Sequence, residues 1–115
     1  MTTLSLGYSP CPNDTYIFHA LIDDLVSGGD LTFKERLEDV ETLNKLALSG
    51  VLDLTKISFH AFGHVRDQYT LLHSGAALGR GCGPLIIADS TLALEELPGK
   101  TIAIPGRMTT ANLLL

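Results

Sequence analysis

Hydroxyl-bearing side chains stand at three points where an extended segment is expected to give way to a helix. Ser9, Ser58 and the pair Thr109 and Thr110 each follow an apolar run and precede a stretch of helical spacing. In open α/β sheets, ligands bind beyond the carboxyl ends of the strands, where loop groups and helix N-termini meet. We therefore predict that these hydroxyls bind a carboxylate or another anion, with plain helix capping as the alternative for any single one.

The first of these points, within residues 7–21, is the richest in polar groups. Two prolines fix φ there and delay the helix, so that Asn13 or Asp14 is expected to cap it. The side chains of Ser9 and Cys11 would then lie next to the first free N–H groups of the helix, at the end of the strand. A rigid strand-to-helix turn without a ligand is the competing interpretation.

Metal and nucleotide sites are not expected. His60 and His64 would share a helix face, a spacing that can chelate a metal, but no acidic residue stands between them as in His-Glu-x-x-His. Cys11 and Cys82 form no Cys-x-x-Cys motif and are predicted to be free thiols. The glycine-rich segment 74–83 lacks the motif of a phosphate-binding loop.

The composition is that of a globular protein, with 45% hydrophobic and 18% charged residues among 115. A net charge of −5 and eight scattered Lys and Arg residues disfavour nucleic acid as a partner. No apolar run reaches the roughly 18 residues that a transmembrane helix needs, and no basic segment precedes an apolar one at the N-terminus. A cytoplasmic location without membrane insertion is therefore expected.

Extended and helical patterns alternate along the chain, as is typical of a parallel sheet covered by helices. Strands are predicted near residues 4–6 and at 31–37, 52–57, 69–73, 85–88 and 101–104. Helices are predicted at 14–26, 40–49 and 58–65 and from Thr109 onward, and a short helical or turn segment at 91–97. In the second helix, Leu43 and Ala47 belong to the apolar stripe, whereas Asn44 faces solvent or a cleft. The last helix would stop after about five residues, so we expect a part of a longer protein.

Four segments give the sequence a resemblance to a known family. They are Ser-Pro-Cys-Pro-Asn-Asp-Thr at 9–15, Glu-Thr-Leu-Asn-Lys-Leu-Ala at 41–47, Asp-Leu-Thr-Lys-Ile-Ser-Phe-His-Ala at 53–61, and Gly-Ala-Ala-Leu-Gly-Arg-Gly-Cys-Gly-Pro at 75–84. Together they resemble the 1,4-dihydroxy-6-naphthoate synthase family of the futalosine route to menaquinone. The resemblance covers nearly all of the chain and corresponds to the N-terminal part of a family member.

The resemblance implies an α/β fold like that of the type II periplasmic binding proteins, with two lobes and a cleft between them. Residues 1–84 would form most of the first lobe. Residues 85–100 would provide a crossing strand and a connection, and residues 101–115 would begin the second lobe.

The resemblance also implies a carbon–carbon lyase that splits cyclic dehypoxanthine futalosine to 1,4-dihydroxy-6-naphthoate without a metal or organic cofactor. The polar cleft positions of the family match Ser9, Asn44, Ser58, Thr109 and Thr110, and the implied catalytic base lies beyond residue 115. These 115 residues alone are thus expected to be inactive.

Two other functions are compatible with the sequence: chorismate dehydratase of the same pathway, and a non-catalytic protein that binds a small carboxylate. The expected partner is a small carboxylate-bearing substrate in each case. A homodimer is an open possibility, and neither nucleic acid nor membrane insertion is expected.

Overall fold

A computed structural model describes residues 1–115 as an α/β fold built on three parallel strands. The strands are β1 (Thr2–Tyr8), β2 (Leu31–Leu37) and β3 (Leu54–Thr55), and their order in the sheet is β2-β1-β3. β1 pairs with β2 along its whole length and with β3 near its carboxyl end. The central strand therefore delivers its last residues to a point where two neighbouring strands also end.

Four α-helices accompany the sheet. They are α1 (Pro12–Ile22), α2 (Val40–Leu48), α3 (Phe59–Gly63) and α4 (Thr110–Leu114), and a single 3-10 turn lies at Leu94–Glu96. The predicted alternation of strands and helices is confirmed from β1 through α3. None of the helices is long and apolar enough to cross a bilayer.

The core lies between the sheet, α2 and the segment that follows β3. Its fully buried apolar side chains are Leu6, Tyr8, Leu43, Ala47, Leu52, Ala61 and Val65. Gly7 of β1 lets α2 approach closely, since a Cβ there would lie 2.5 Å from Leu52 Cδ1 and 2.9 Å from Leu43 Cδ2. This close approach places the polar face of α2 next to the carboxyl end of the sheet.

The start of α1 differs from the prediction. The helix begins at Pro12 with Cys11 as its N-cap, rather than after a cap at Asn13 or Asp14. Proline is well suited to the first helical position, because its missing N–H would have no partner there. The Asp14 carboxylate is turned toward Ser9 instead of capping the helix.

The end of α1 also differs from the prediction of a helix through Val26. The helix ends at Ile22, and Asp24 adopts a left-handed φ of 54°. The N–H groups of Leu25 and Val26 both donate to the carbonyl of Ala20, which closes the helix in the manner of a C-terminal capping turn. The chain therefore reverses before it reaches the two glycines.

Three predicted strands are absent, at 69–73, 85–88 and 101–104, so the segment expected to cross between lobes forms no strand here. The strand at 52–57 is shortened to β3, whereas the short helical or turn segment predicted at 91–97 is present as the 3-10 turn. A strand needs a neighbour to bond its backbone groups, and no other segment of the chain pairs with these runs. Leu85 and Ile87 accordingly remain 83% and 89% exposed.

Candidate functional site

The N-terminus of α3 is the point where four of the five predicted site residues come together, the exception being Ser9. Ser58, which follows β3, is its N-cap, and the N-terminus of α4 lies beside it. The N–H of His60 donates to Thr110 Oγ1 over 3.3 Å, and His60 Nδ1 lies 3.2 Å from the carbonyl oxygen of Thr109. The structure thus brings Ser58, Thr109 and Thr110 to one place from positions about 50 residues apart.

Asn44 of α2 holds Ser58 through two hydrogen bonds. The Ser58 N–H donates to Asn44 Oδ1 over 3.0 Å, and Asn44 Nδ2 donates to Ser58 Oγ over 3.2 Å. Because a backbone N–H can only donate, the first bond fixes which end of the Asn44 amide is the oxygen. Ser58 Oγ therefore accepts a hydrogen bond from inside the protein and keeps its own O–H for another acceptor.

The placement of Asn44 itself corrects part of the prediction, because the side chain is completely buried rather than facing solvent. Helical spacing put it on the boundary of the apolar stripe. The two bonds to Ser58 satisfy its amide, and this makes burial of a polar group tolerable.

The two adjacent threonines have different roles in the structure. Thr109 is the N-cap of α4: its hydroxyl donates to the Gly106 carbonyl over 2.7 Å and accepts the N–H of Asn112 over 3.3 Å. It is buried, and its hydroxyl proton is used within the protein. Thr110 Oγ1 only accepts, from the N–H of His60, so its O–H remains available to a ligand.

A cavity of about 940 Å³ adjoins this point. Of the five predicted site residues, Ser58 and Thr110 line it, whereas Ser9, Asn44 and Thr109 do not. Among the five predicted residues, the two whose O–H is available are therefore the two that reach the cavity. Their arrangement suits an anionic oxygen, which accepts hydrogen bonds and donates none.

Ser9 belongs to a separate buried cluster with Asp14 and Lys56. The N–H and Oγ of Ser9 both donate to Asp14 Oδ2, over 3.2 and 2.7 Å, and the other carboxylate oxygen pairs with the Lys56 ammonium. Burial raises the pKa of Asp14, but the hydrogen bonds from Lys56 and Ser9 and the charge of Lys56 outweigh burial and hold that pKa below its usual value. The Ser9–Asp14–Lys56 cluster fixes the first turn of α1 against the end of β3.

Asp14, Lys56 and Glu41 were not among the predicted site residues. Lys56 directly follows a strand, and Asp14 lies in the first turn of a helix, so both positions pointed toward the carboxyl edge of the sheet. Glu41 precedes Asn44 by three residues, and this spacing puts both side chains on one face of α2.

No group of three or more His, Cys, Asp or Glu side chains in residues 1–115 is arranged to hold a metal ion. The rings of His60 and His64 have centroids 5.3 Å apart, and Nδ1 of His60 is occupied by the Thr109 carbonyl. Cys11 and Cys82 are exposed and unpaired.

The parallel sheet, with helix N-termini at its carboxyl edge, defines the chain as a mixed α/β fold. The menaquinone biosynthesis family model matches residues 4–115, and the chain belongs to this family.

Two curated relatives and one solved structure are similar to the chain. A protein of Thermus thermophilus named 1,4-dihydroxy-6-naphtoate synthase is 53% identical over 115 residues, which are 100% of this chain and 41% of that protein. A protein of the same name from Streptomyces coelicolor is 44% identical over 97% of this chain and 39% of its own length. A crystal structure of an Archaeoglobus fulgidus protein superposes with a TM-score of 0.89 at 38% identity, and the match covers 97% of this chain and 41% of that one. The chain thus spans about two fifths of the length of these relatives.

Proposed function

We propose that the full-length protein to which these residues belong is a 1,4-dihydroxy-6-naphthoate synthase of menaquinone biosynthesis. It would act as a carbon–carbon lyase on cyclic dehypoxanthine futalosine, without a metal or organic cofactor, in the cytoplasm. The similarity to two relatives of that name, at 53% and 44% identity across nearly the whole chain, is the observation that carries the proposal.

The site chemistry is consistent with this reaction. An elimination that breaks a carbon–carbon bond needs a base to remove a proton and donors that stabilise the developing oxyanion or hold the substrate carboxylate. Ser58 and Thr110 each accept a hydrogen bond from within the protein and have an O–H to donate. We assign them the direct contacts to an anionic group of the substrate.

The other three predicted site residues support these contacts. Asn44 orients Ser58, Thr109 caps the helix that carries Thr110, and Ser9 anchors the first turn of α1 through Asp14. The catalytic base is proposed to lie outside residues 1–115.

A two-lobed fold like that of the type II periplasmic binding proteins accompanies the proposal. Residues 1–84 would belong to the first lobe, 85–100 to the connection, and 101–115 to the start of the second lobe. The apolar side chains of Leu85 and Ile87 are consistent with this arrangement, because additional chain could cover them.

The experiment is to incubate the purified full-length protein with cyclic dehypoxanthine futalosine and to quantify 1,4-dihydroxy-6-naphthoate by liquid chromatography. Product formation is expected, and Ser58→Ala should raise KM by about 10- to 100-fold, because it removes one hydrogen bond to a charged group. Ser49→Ala is the matched control, since that serine is exposed at the end of α2. Consumption of chorismate with no turnover of the futalosine derivative would contradict the proposal.

A further inference from the structure

One face of α2 contacts both of the segments that carry available hydroxyls. Asn44 bonds to Ser58 at the start of α3. Glu41, one turn earlier on the same face, bonds to the segment that leads into α4 and therefore to Thr110. Asn44 was already a predicted site residue, whereas Glu41 has so far been given no role.

The Glu41 carboxylate receives two consecutive backbone N–H groups. Its Oε1 accepts from Arg107 and its Oε2 accepts from Met108, each over 3.1 Å. Successive N–H groups of this kind form a small concave site for an anion. The bonds join positions 66 and 67 residues apart, so they hold two distant parts of the chain together.

The surrounding structure holds both Glu41 and the segment 106–108 in the positions that this contact needs. The first turn of α2 is fixed by Asp39, whose carboxylate accepts the N–H groups of Glu41 and Thr42. On the other side, a Cβ added to Gly106 would lie 2.3 Å from Glu41 Oε2, so the carboxylate approaches to a distance that only glycine permits.

The contact continues directly into α4. The Gly106 carbonyl accepts the hydroxyl of Thr109, which caps the helix, and Thr110 is the first residue of that helix. A shift of residues 106–108 would therefore move the Thr110 hydroxyl relative to Ser58.

We propose that Glu41 is a positioning residue for the substrate site, one that holds the Thr110 hydroxyl in the place where it can donate to the substrate. The inference rests on the proposed function for its kinetic consequences. α2 then positions both donors, Ser58 through Asn44 and Thr110 through Glu41.

The kinetic test uses Glu41→Gln in the full-length protein. The amide keeps one acceptor oxygen, but its NH2 group faces a backbone N–H, so one of the two bonds is lost. We expect KM to rise by about tenfold with little change in kcat, since a binding contact is weakened equally in the ground and transition states. Glu38→Gln is the control, because Glu38 forms only an exposed pair with Arg36.

A double-mutant cycle separates positioning of Thr110 from a general loss of stability. In a Thr110→Val background, Glu41→Gln should change KM by less than about twofold, because the group that it positions is already absent. An equal increase of KM in both backgrounds, or no increase in either, would overturn the inference.

Hydrogen exchange tests the same contact without any substrate. The amides of Arg107 and Met108 should exchange faster in Glu41→Gln than in Glu38→Gln, while the amides of α2 keep their protection. Unchanged exchange at both amides would refute the inference. If the wild-type protein does not turn over the futalosine derivative, the proposed function fails, and exchange alone then decides the role of Glu41.

Discussion

The hydrogen bond between Asn44 Nδ2 and Ser58 Oγ can be reversed by a single substitution, and this tests whether the Ser58 hydroxyl donates to the substrate. In Asn44→Asp, one carboxylate oxygen still accepts the Ser58 N–H, as Asn44 Oδ1 does over 3.0 Å. The other carboxylate oxygen takes the place of Asn44 Nδ2, which in the wild-type protein donates to Ser58 Oγ over 3.2 Å. Since a carboxylate only accepts, the Ser58 hydroxyl must turn and donate its proton inward.

The size of the effect on KM follows from the hydrogen bond to the substrate that the Ser58 hydroxyl can no longer donate. A hydrogen bond to a charged group contributes about 1.5–3 kcal/mol, and 1.4 kcal/mol corresponds to a factor of ten. KM for the futalosine derivative should therefore rise by about 10- to 100-fold in the full-length protein. The introduced carboxylate is completely buried, so its charge should lower the free energy of unfolding, and the two hydrogen bonds that it still receives should offset part of this loss.

The assay is steady-state kinetics with thermal unfolding followed by circular dichroism on the same samples. Ser58→Ala should raise KM by the same factor, and the double variant should show no further increase, because both changes remove one donor. Asn13→Asp is the matched control, since Asn13 is exposed on α1. An unchanged KM in a folded Asn44→Asp protein would refute the assignment of Ser58 as a donor.

Two further predictions concern neighbouring groups. Burial raises the pKa of Asp14, but the hydrogen bonds from Lys56 and Ser9 and the charge of Lys56 together outweigh burial, so the folded-state pKa lies below its usual value. The resulting stabilisation is present above the unfolded pKa and is lost as pH falls through the folded value. Lys56→Met should reduce the loss of stability toward low pH in urea unfolding measured between about pH 3 and 7, because it removes part of the pKa depression of Asp14; identical pH profiles would contradict the pairing. Thr109→Ala should lower the free energy of unfolding by about 1 kcal/mol as a lost N-cap and should also raise KM, because the cap connects residues 106–108 to Thr110. An unchanged KM would contradict the positioning of Thr110 through this segment.

Local sequence patterns predicted a strand correctly where another strand of this chain pairs with it. β2 occupies Leu31–Leu37 as predicted, and it pairs with β1 along its whole length. The apolar runs at 85–88 and 101–104 have similar β-forming composition, yet no segment of the chain pairs with them. Composition favours a strand, but only a neighbouring strand can satisfy its backbone groups.

The candidate site shows the same division. The strand-to-helix junctions predicted where Ser58, Thr109 and Thr110 would lie, because capping residues are recognisable from sequence. The patterns did not predict which hydroxyl keeps a free proton. That depends on partners far along the chain, such as Asn44 for Ser58 and His60 for Thr110.

A crystal structure of the full-length protein with 1,4-dihydroxy-6-naphthoate bound tests the central claim most directly. We expect Ser58 Oγ and Thr110 Oγ1 to lie within about 3.2 Å of oxygen atoms of the ligand, while Ser9, Asn44 and Thr109 contact only the protein. A ligand held elsewhere, with both hydroxyls directed away from it, would contradict the account.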